Sequence, residues 1–393
     1  MDIIPLKKVL KIAKSGVELF EGKKVYIDTR SVKGNRIVGD GKKVTYNNRK
    51  SRANMEVNNG DVLFAKMANT KKVLFIDSEN SSKLYSTGFF VLRPNLELLR
   101  PKFLYYYFRF NGTELLKDRL AHGETQKQLN NSQLRKRFLI HQYDFRDQDK
   151  FISTFEKIDS ILNRLQKQRD HAYNLLMAER EKSYDSNPKV SLPLEQVVKT
   201  PPYRYPTFYG FKYVKEGVPV LKISNMTSDA KFPKERTVYD HITEEINQEY
   251  PKTIVEENDI IMEARGTYIG KCALVPTELA ESNISPNTIR ISLDTTMILP
   301  SYFWHYTFTS KWKSQIQKRT RYWKLKFGTI RADKLNRVQI PVPPKKEQEK
   351  IADKLQLLDL VNIQFQNDSE QCEKIFQSYL KKVFGIKQTL IVK

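Results

Sequence analysis

Two stretches of the chain carry the longest regular apolar patterns. In the first, Phe151, Phe155, Ile158, Leu162 and Leu165 recur at alternating intervals of four and three, with Ala172 and Leu176 beyond them. In the second, Ile351, Leu355, Leu358, Phe365, Cys372, Phe376, Tyr379 and Val383 keep the same rhythm. This alternation holds one narrow apolar stripe along a helix, the mark of a helix–helix seam. The two seams share one register at an offset of 200 residues. Arg169 and Asn362 interrupt them, and polar residues at such positions set register at some cost in stability. Two amphipathic helices, each covering its own domain, are the plainer alternative. A length of about 30 residues favours a helix pair, since helices in globular domains average far less.

The remainder is written in short elements. Val62–Ala65, Val73–Ile76 and Gly88–Leu92 are β-rich runs between turn residues. Leu99–Phe110 and Ser301–Thr320 read as helical or partly so, with an aromatic content that blurs the assignment. The segments also repeat. Pro5–Lys11 returns as Pro193–Lys199, Gly60–Phe64 as Asn258–Met262, Pro101–Tyr107 as Pro300–Tyr306, and Gln148–Asp159 as Gln348–Asp359. Four segments in the same order, with a drifting offset, indicate one unit written twice with loop insertions. Ser186-Asn187-Pro188 ends the first long helix, because proline and its predecessor disfavour helical continuation. Pro341-Val342-Pro343-Pro344 separates the second globular segment from its helix. The expected organisation is a mixed α/β (α+β) domain at 1–145, a helix at 146–190, a second such domain at 191–345 and a helix at 346–393.

Charge then narrows the partners. The net charge is +23, which favours polyanions, either nucleic acid or an anionic surface. Residues 1–145 carry 28 Lys and Arg against 14 Asp and Glu, and residues 191–345 carry 23 against 16. The helical segments are near neutral, with 9 against 8 and 8 against 7. Basic globular domains suit a phosphate backbone, and neutral helices suit protein contacts. No apolar run approaches the length of a membrane span, and Met1–Pro5 offers no signal-peptide core. Cys272 and Cys372 lie far apart and read as reduced cysteines of a cytoplasmic protein.

Between Lys311 and Arg337 ten basic residues face one acid, Asp333, with Trp312, Tyr322, Trp323 and Phe327 interleaved. The equivalent stretch of the first domain, Gly123–Asn130, is rich in amides, which pair with adenine in the major groove. The candidate DNA-contacting residues of the first domain are therefore Lys66, Asn69, Lys71, Lys72, Thr125, Gln126, Lys127 and Asn130. Those of the second are Arg265, Thr267, Tyr268, Lys271, Lys324, Lys326, Thr329 and Arg331. Lys and Arg are expected to anchor phosphates, and Gln, Asn and Arg to read bases. A solvated surface loop over core aromatics is the alternative for any single one of them.

The repeated unit resembles the specificity (S) subunit of type I restriction–modification enzymes. The resemblance rests on Pro341–Ile351, a proline-rich run followed by Glu-Gln and a helix start. It rests also on Gly123–Asn130, on Asn258–Met262 with Gly266 and Gly270 downstream, and on Val218–Ile223. It implies two target recognition domains, each reading half of a split double-stranded DNA sequence, and two helices packed as an antiparallel coiled coil between them. It further implies two modification subunits that methylate adenine with S-adenosylmethionine, and motor–nuclease subunits for restriction. On this reading the chain itself binds no cofactor, holds no metal and has no catalytic residue. A helix of about 30–35 residues spans roughly 50 Å, about one and a half turns of duplex.

Three other functions compete for parts of the sequence. Thr200-Pro201-Pro202-Tyr203 is one residue from the motif with which DNA adenine methyltransferases hold their target, but threonine replaces the required amide or carboxylate, and no Gly-rich cofactor loop follows a strand. It reads instead as a proline-stiffened loop after a short strand. Asp259 and Glu263 are a thin basis for a nuclease metal site, and the five histidines lack ligand spacing. A general nucleic-acid- or membrane-surface-binding protein with a coiled coil explains the charge but not the repeat or the shared heptad register.

Overall fold

The computed structural model describes residues 2–185, 190–204, 212–227, 229–324 and 327–385, without the side chains of Arg204, Trp323 and Lys324. Two compact units emerge, Met1–Gln166 with Asn367–Lys393, and Lys167–Gln366. Each contains one mixed α/β domain, the start of one long helix and the end of the other. The long helices are Phe145–Asp185 and Lys345–Phe384. At 41 and 40 residues they exceed the expected length. The extra turns have a use. In the first unit Phe384 packs on Phe103, Tyr107 and Phe155. In the second, Tyr184 packs on Tyr302 and Tyr306. Each helix therefore ends as a core element of the domain from the other repeat.

In the first unit, strands Leu10–Ile12, Phe89–Pro94, Val62–Ala65 and Val73–Phe75 lie side by side in that order, all antiparallel. Val62–Ala65 is buried on both faces, so it reads as a continuous apolar run and not as alternation. Alternation still operates in three dimensions. Val62 and Phe64 join the core under helix Pro101–Arg109, while Leu63 and Ala65 join a second core. That second core lies against a smaller sheet containing Lys24–Ile27 and Leu84–Ser86, which pair in parallel. Pro101 sits at the start of its helix, where its fixed φ and missing N–H cost nothing.

The second unit repeats the plan. Val198–Arg204, Thr288–Leu293, Ile260–Glu263 and Cys272–Leu274 form the main sheet, and Val218–Leu221 pairs in parallel with Asn283–Ile284 in the smaller one. Ile260 and Met262 enter one core and Ile261 the other. The Thr200–Tyr203 segment is a correction to the sequence reading: it is no loop but part of the edge strand Val198–Arg204, with irregular register around Thr200. Proline is tolerated there because an edge strand leaves one row of N–H groups unused.

The repeat extends to individual hydrogen bonds. Buried Gln148 accepts from the Arg100 amide at 2.8 Å and donates to the Leu98 and Tyr143 carbonyls. Buried Gln348 accepts from the Leu299 amide at 2.8 Å and donates to the Met297 and Pro343 carbonyls. Tyr107 and Tyr306 donate to the carbonyls of Leu139 and Gln339 at 2.9 and 3.0 Å. The helix starts differ in means only. Asp144 accepts the Asp147 amide at 2.8 Å, whereas Pro343 and Pro344 stiffen the second junction.

Both units hold an antiparallel helix pair. In the first, Phe151, Phe155, Ile158 and Leu162 pack in one core with Phe376, Tyr379, Leu380 and Val383. In the second, Leu176 and Tyr184 share a core with Ile351, Leu355 and Leu358. Leu165 and Phe365 are half-buried. In the second unit Arg180 is buried, lying 3.6 Å from Asp359 and 3.9 Å from the Phe308 ring, and its Nε donates to His305 Nδ1 at 3.3 Å. Burial, then the charges of Arg180 and Lys231, hold the His305 pKa down at about 3, so the ring is neutral. Among the described residues no helix is long and apolar enough to cross a membrane.

Candidate nucleic-acid interface

The loop after strand Val62–Ala65 and the stretch before helix Asn131–Arg137 are separated by some fifty residues of sequence, yet they meet. The Ala68 amide donates to the Lys127 carbonyl at 2.9 Å, and the Leu129 amide donates to the Lys66 carbonyl at 2.9 Å. His122 and Gln128 bridge the base of the second stretch, leaving Gly123–Lys127 exposed at its tip. With Thr29, Arg30 and Arg52 these segments line a cleft of about 330 Å³. Asn69, Lys71, Lys72 and Gln126 all face it. Thr125 and Lys127 are exposed beside it.

Several of these residues have structural duties as well. Lys71 donates to Asn111 at 2.6 Å, and Lys72 to the Thr29 carbonyl. Lys66 is half-buried with its ammonium 5.1 Å from the Phe90 ring. Burial, and then the charge of Arg52, lower its pKa. Asn130 spends its side-chain oxygen capping helix Asn131–Arg137, where it accepts the Gln133 amide at 2.8 Å; its amide group lies 3.5 Å from His122 Nε2. Asn69 adopts a left-handed backbone, φ 55°, and its amide donates to Asp118 at 2.8 Å.

Sequence reasoning missed the group that holds this loop from below. Lys117 is fully buried, donates to the Thr70 carbonyl at 2.8 Å and pairs with Glu114 and Asp118. Burial raises the Glu114 pKa against the pull of Lys117. On the sequence, Lys117 looks like one more surface lysine of an amphipathic helix. Arg30 and Arg52 were also missed, since neither stands in a motif.

The second unit builds the same place with different parts. Arg265–Gly266, Phe327–Thr329 and Arg321–Lys324 form a three-stranded ribbon, with Arg265 opposite Thr329 and Gly266 opposite Gly328. Arg265, Thr267, Tyr268 and Arg331 are exposed, and Arg331 pairs with Asp333 at 3.0 Å. Lys271 donates to the Thr227 carbonyl at 3.2 Å, and Thr329 to that of Ala264 at 3.2 Å. Lys326 and the side chain of Lys324 lie outside the described residues. Trp312, read from the sequence with the basic run, belongs to the core instead. It is fully buried, stacked edge-on against Phe303 and Tyr306, and its indole donates to the Gly270 carbonyl at 2.9 Å.

The two carboxylates weighed as a nuclease site have other work. Asp259 is bound by Arg290 and accepts the Glu256 amide at 2.7 Å, matching Asp61 with Arg93 and the Asn58 amide. Glu263 lies beneath the exposed turn, accepting the Tyr268 amide at 3.1 Å and that of Thr267. Burial raises its pKa, and these amides oppose the rise. Gly266, at φ 148°, is required here, because a Cβ would stand 1.9 Å from Glu263 Oε1. Among the described residues no group of three or more His, Cys, Asp or Glu is placed to hold a metal ion.

A family model described as the type I restriction modification DNA specificity domain matches residues 1–171 and again 201–372. No curated protein sequence matches the chain significantly. Among solved structures, one concerned with complex assembly and conformational transition of the type I R-M system aligns over 98% of this chain and 97% of its own, with TM-score 0.58 and 18% identity. The S subunit of a type I restriction–modification system from M. genitalium aligns over 98% and 96%, with TM-score 0.55 and 14% identity. At such identities the likeness is one of fold.

Proposed function

The chain belongs to the type I restriction–modification DNA specificity family, and from that premise we propose that each of its two units reads one half of a split double-stranded DNA target. The observation that carries the reading is the recurrence, at one topological position in both units, of a basic loop laid beside an exposed hairpin. The two sites share a scaffold and differ in side chains, as two readers of different half-sites should. Cations there anchor phosphates, and amides, hydroxyls and arginine forks address base edges. The chain supplies recognition, and the chemistry belongs to its partners.

The long helices space the two readers and dock two modification subunits, which bring S-adenosylmethionine and methylate adenine. Motor–nuclease subunits then join for restriction. Support for paired docking comes from exposed apolar positions that repeat at the helix offset. Ile161 and Val361 are one such pair, and Leu175 and Ile375 another. A subunit docked along each helix would cover them.

The test is methylation mapping in cells that express the chain with and without its modification subunit. A bipartite adenine-methylated motif present only with both establishes the role, and exchange of residues 191–345 changes one half of that motif alone. An active modification subunit that yields no motif overturns the proposal in favour of general nucleic-acid binding.

A further inference from the structure

The two sites differ in one respect that charge does not explain. At the first, the exposed tip is polar: Thr125, Gln126 and Lys127 beside Asn69 and Lys71. At the second, large rings stand in water. Tyr268 is 69% exposed, Tyr322 49% and Phe327 39%. Arg265, Arg321 and Arg331 are exposed around them, so the rings sit in a positive frame.

The backbone beneath the rings is anchored. The turn that carries Tyr268 is bonded through its own amide to the buried carboxylate of Glu263. Two residues on, the Gly270 carbonyl is held by the Trp312 indole. Tyr322 lies across Gly328, where a Cβ would meet its Cδ1 at 2.9 Å, so glycine clears a bed for the ring. Tyr268 and Tyr322 both border a cleft of about 340 Å³ whose other walls include Lys271 and Lys313. Exposed aromatics on an anchored backbone within a cationic frame have the geometry of a wedge. Proteins that insert such side chains between base steps unstack them and read the deformability of the sequence.

We propose that the second unit reads its half-site partly by wedging Tyr268 and Tyr322 against a base step and unstacking it, whereas the first unit, whose cleft carries the exposed Met67 but no exposed ring, reads without an aromatic wedge. The inference rests on the DNA-reading function proposed above. It makes flexible pyrimidine–purine steps the preferred partner of the ribbon.

The experiment uses the full chain assembled with its modification subunits and a duplex carrying the mapped bipartite motif, with 2-aminopurine replacing in turn each adenine of both half-sites except those that are methylated, since the modification subunits turn these out of the stack themselves. Binding by the unaltered complex is expected to raise 2-aminopurine fluorescence at one step of the second half-site and at none of the first. Y268A and Y322A should each weaken binding roughly 5- to 100-fold and abolish the rise, and Y268F should retain both. Tyr268 is mostly solvated, so Y268A should keep the unfolding midpoint of the parent. Sequence-preferring binding with no fluorescence rise, or Y268A and Y322A variants that bind and unstack like the parent, overturns the wedge while leaving DNA reading intact. Loss of affinity without loss of the rise also overturns it. Absence of any sequence preference in the unaltered complex strikes the underlying function instead.

Discussion

Gln348 is the point at which the second long helix is locked to its recognition domain, and its removal tests how that lock works. The side chain is fully buried and serves three backbone groups: the Leu299 amide at 2.8 Å and the Met297 and Pro343 carbonyls, each at 2.9 Å. Gln348→Leu keeps the volume and leaves all three without a partner. A buried backbone group so stranded costs about 1–3 kcal/mol. Allowing for the apolar gain of leucine and for partial relaxation, the net loss is about 3–5 kcal/mol. All three tryptophans, Trp304, Trp312 and Trp323, belong to the second recognition domain, so tryptophan fluorescence in a urea titration follows that domain selectively. Gln348→Leu should move this transition strongly. Gln148→Leu, which breaks the equivalent bonds in the first unit, should leave it nearly in place and instead speed hydrogen exchange at the Arg100 amide. A loss below about 1 kcal/mol in Gln348→Leu would refute the reasoning, because it would mean the three groups find other partners.

Three further outcomes follow from the same contacts. The His305 pKa, held near 3 in the fold, lies below its unfolded value, so the stability it contributes is complete above about pH 6.5 and is lost as pH falls, by at most about 1.4 kcal/mol per unit. His305→Phe should flatten the pH dependence of unfolding between pH 6 and 4, and an unchanged slope counts against burial as the cause. Gly266→Ala drives a Cβ to 1.9 Å from Glu263 Oε1; it should reduce methylation at the second half-motif at least tenfold, with partial recovery in Gly266→Ala, Glu263→Ala, and failure of the second change to help would contradict the clash. Lys117→Met strands Glu114 and the Thr70 carbonyl, at a cost of about 3–5 kcal/mol, and should abolish recognition of the first half-motif before the second, read by methylation mapping at rising temperature.

Single residues are less legible in the sequence than whole elements. Asn130 looked like a base reader because it ends an amide-rich run, but an asparagine before a helix is equally an N-cap, and the cap holds its oxygen. Trp312 stands among ten basic residues, and the basic residues of its helix stay outside while it turns inward with Ile316. Lys117 and Glu263 are buried charged groups that organise the two loops from beneath. No local pattern distinguishes such residues from the solvated majority of their kind, because burial is decided by the strands and loops that fold over them.

The sequence by itself determined the duplication, the two long helices with their common seam register, and the concentration of basic charge in the globular parts. These are properties of periodicity and composition, and a heptad or a repeated segment keeps its meaning wherever the chain goes. Tertiary structure alone decided that the Lys66–Lys72 loop lies beside Gly123–Gln128 and Arg265–Lys271 beside the Arg321–Thr329 hairpin. It also decided that each long helix ends in the core of the domain from the other repeat. Contacts between segments fifty to two hundred residues apart depend on strand order and on which apolar faces remain to be covered, and those are set only when the whole unit has packed.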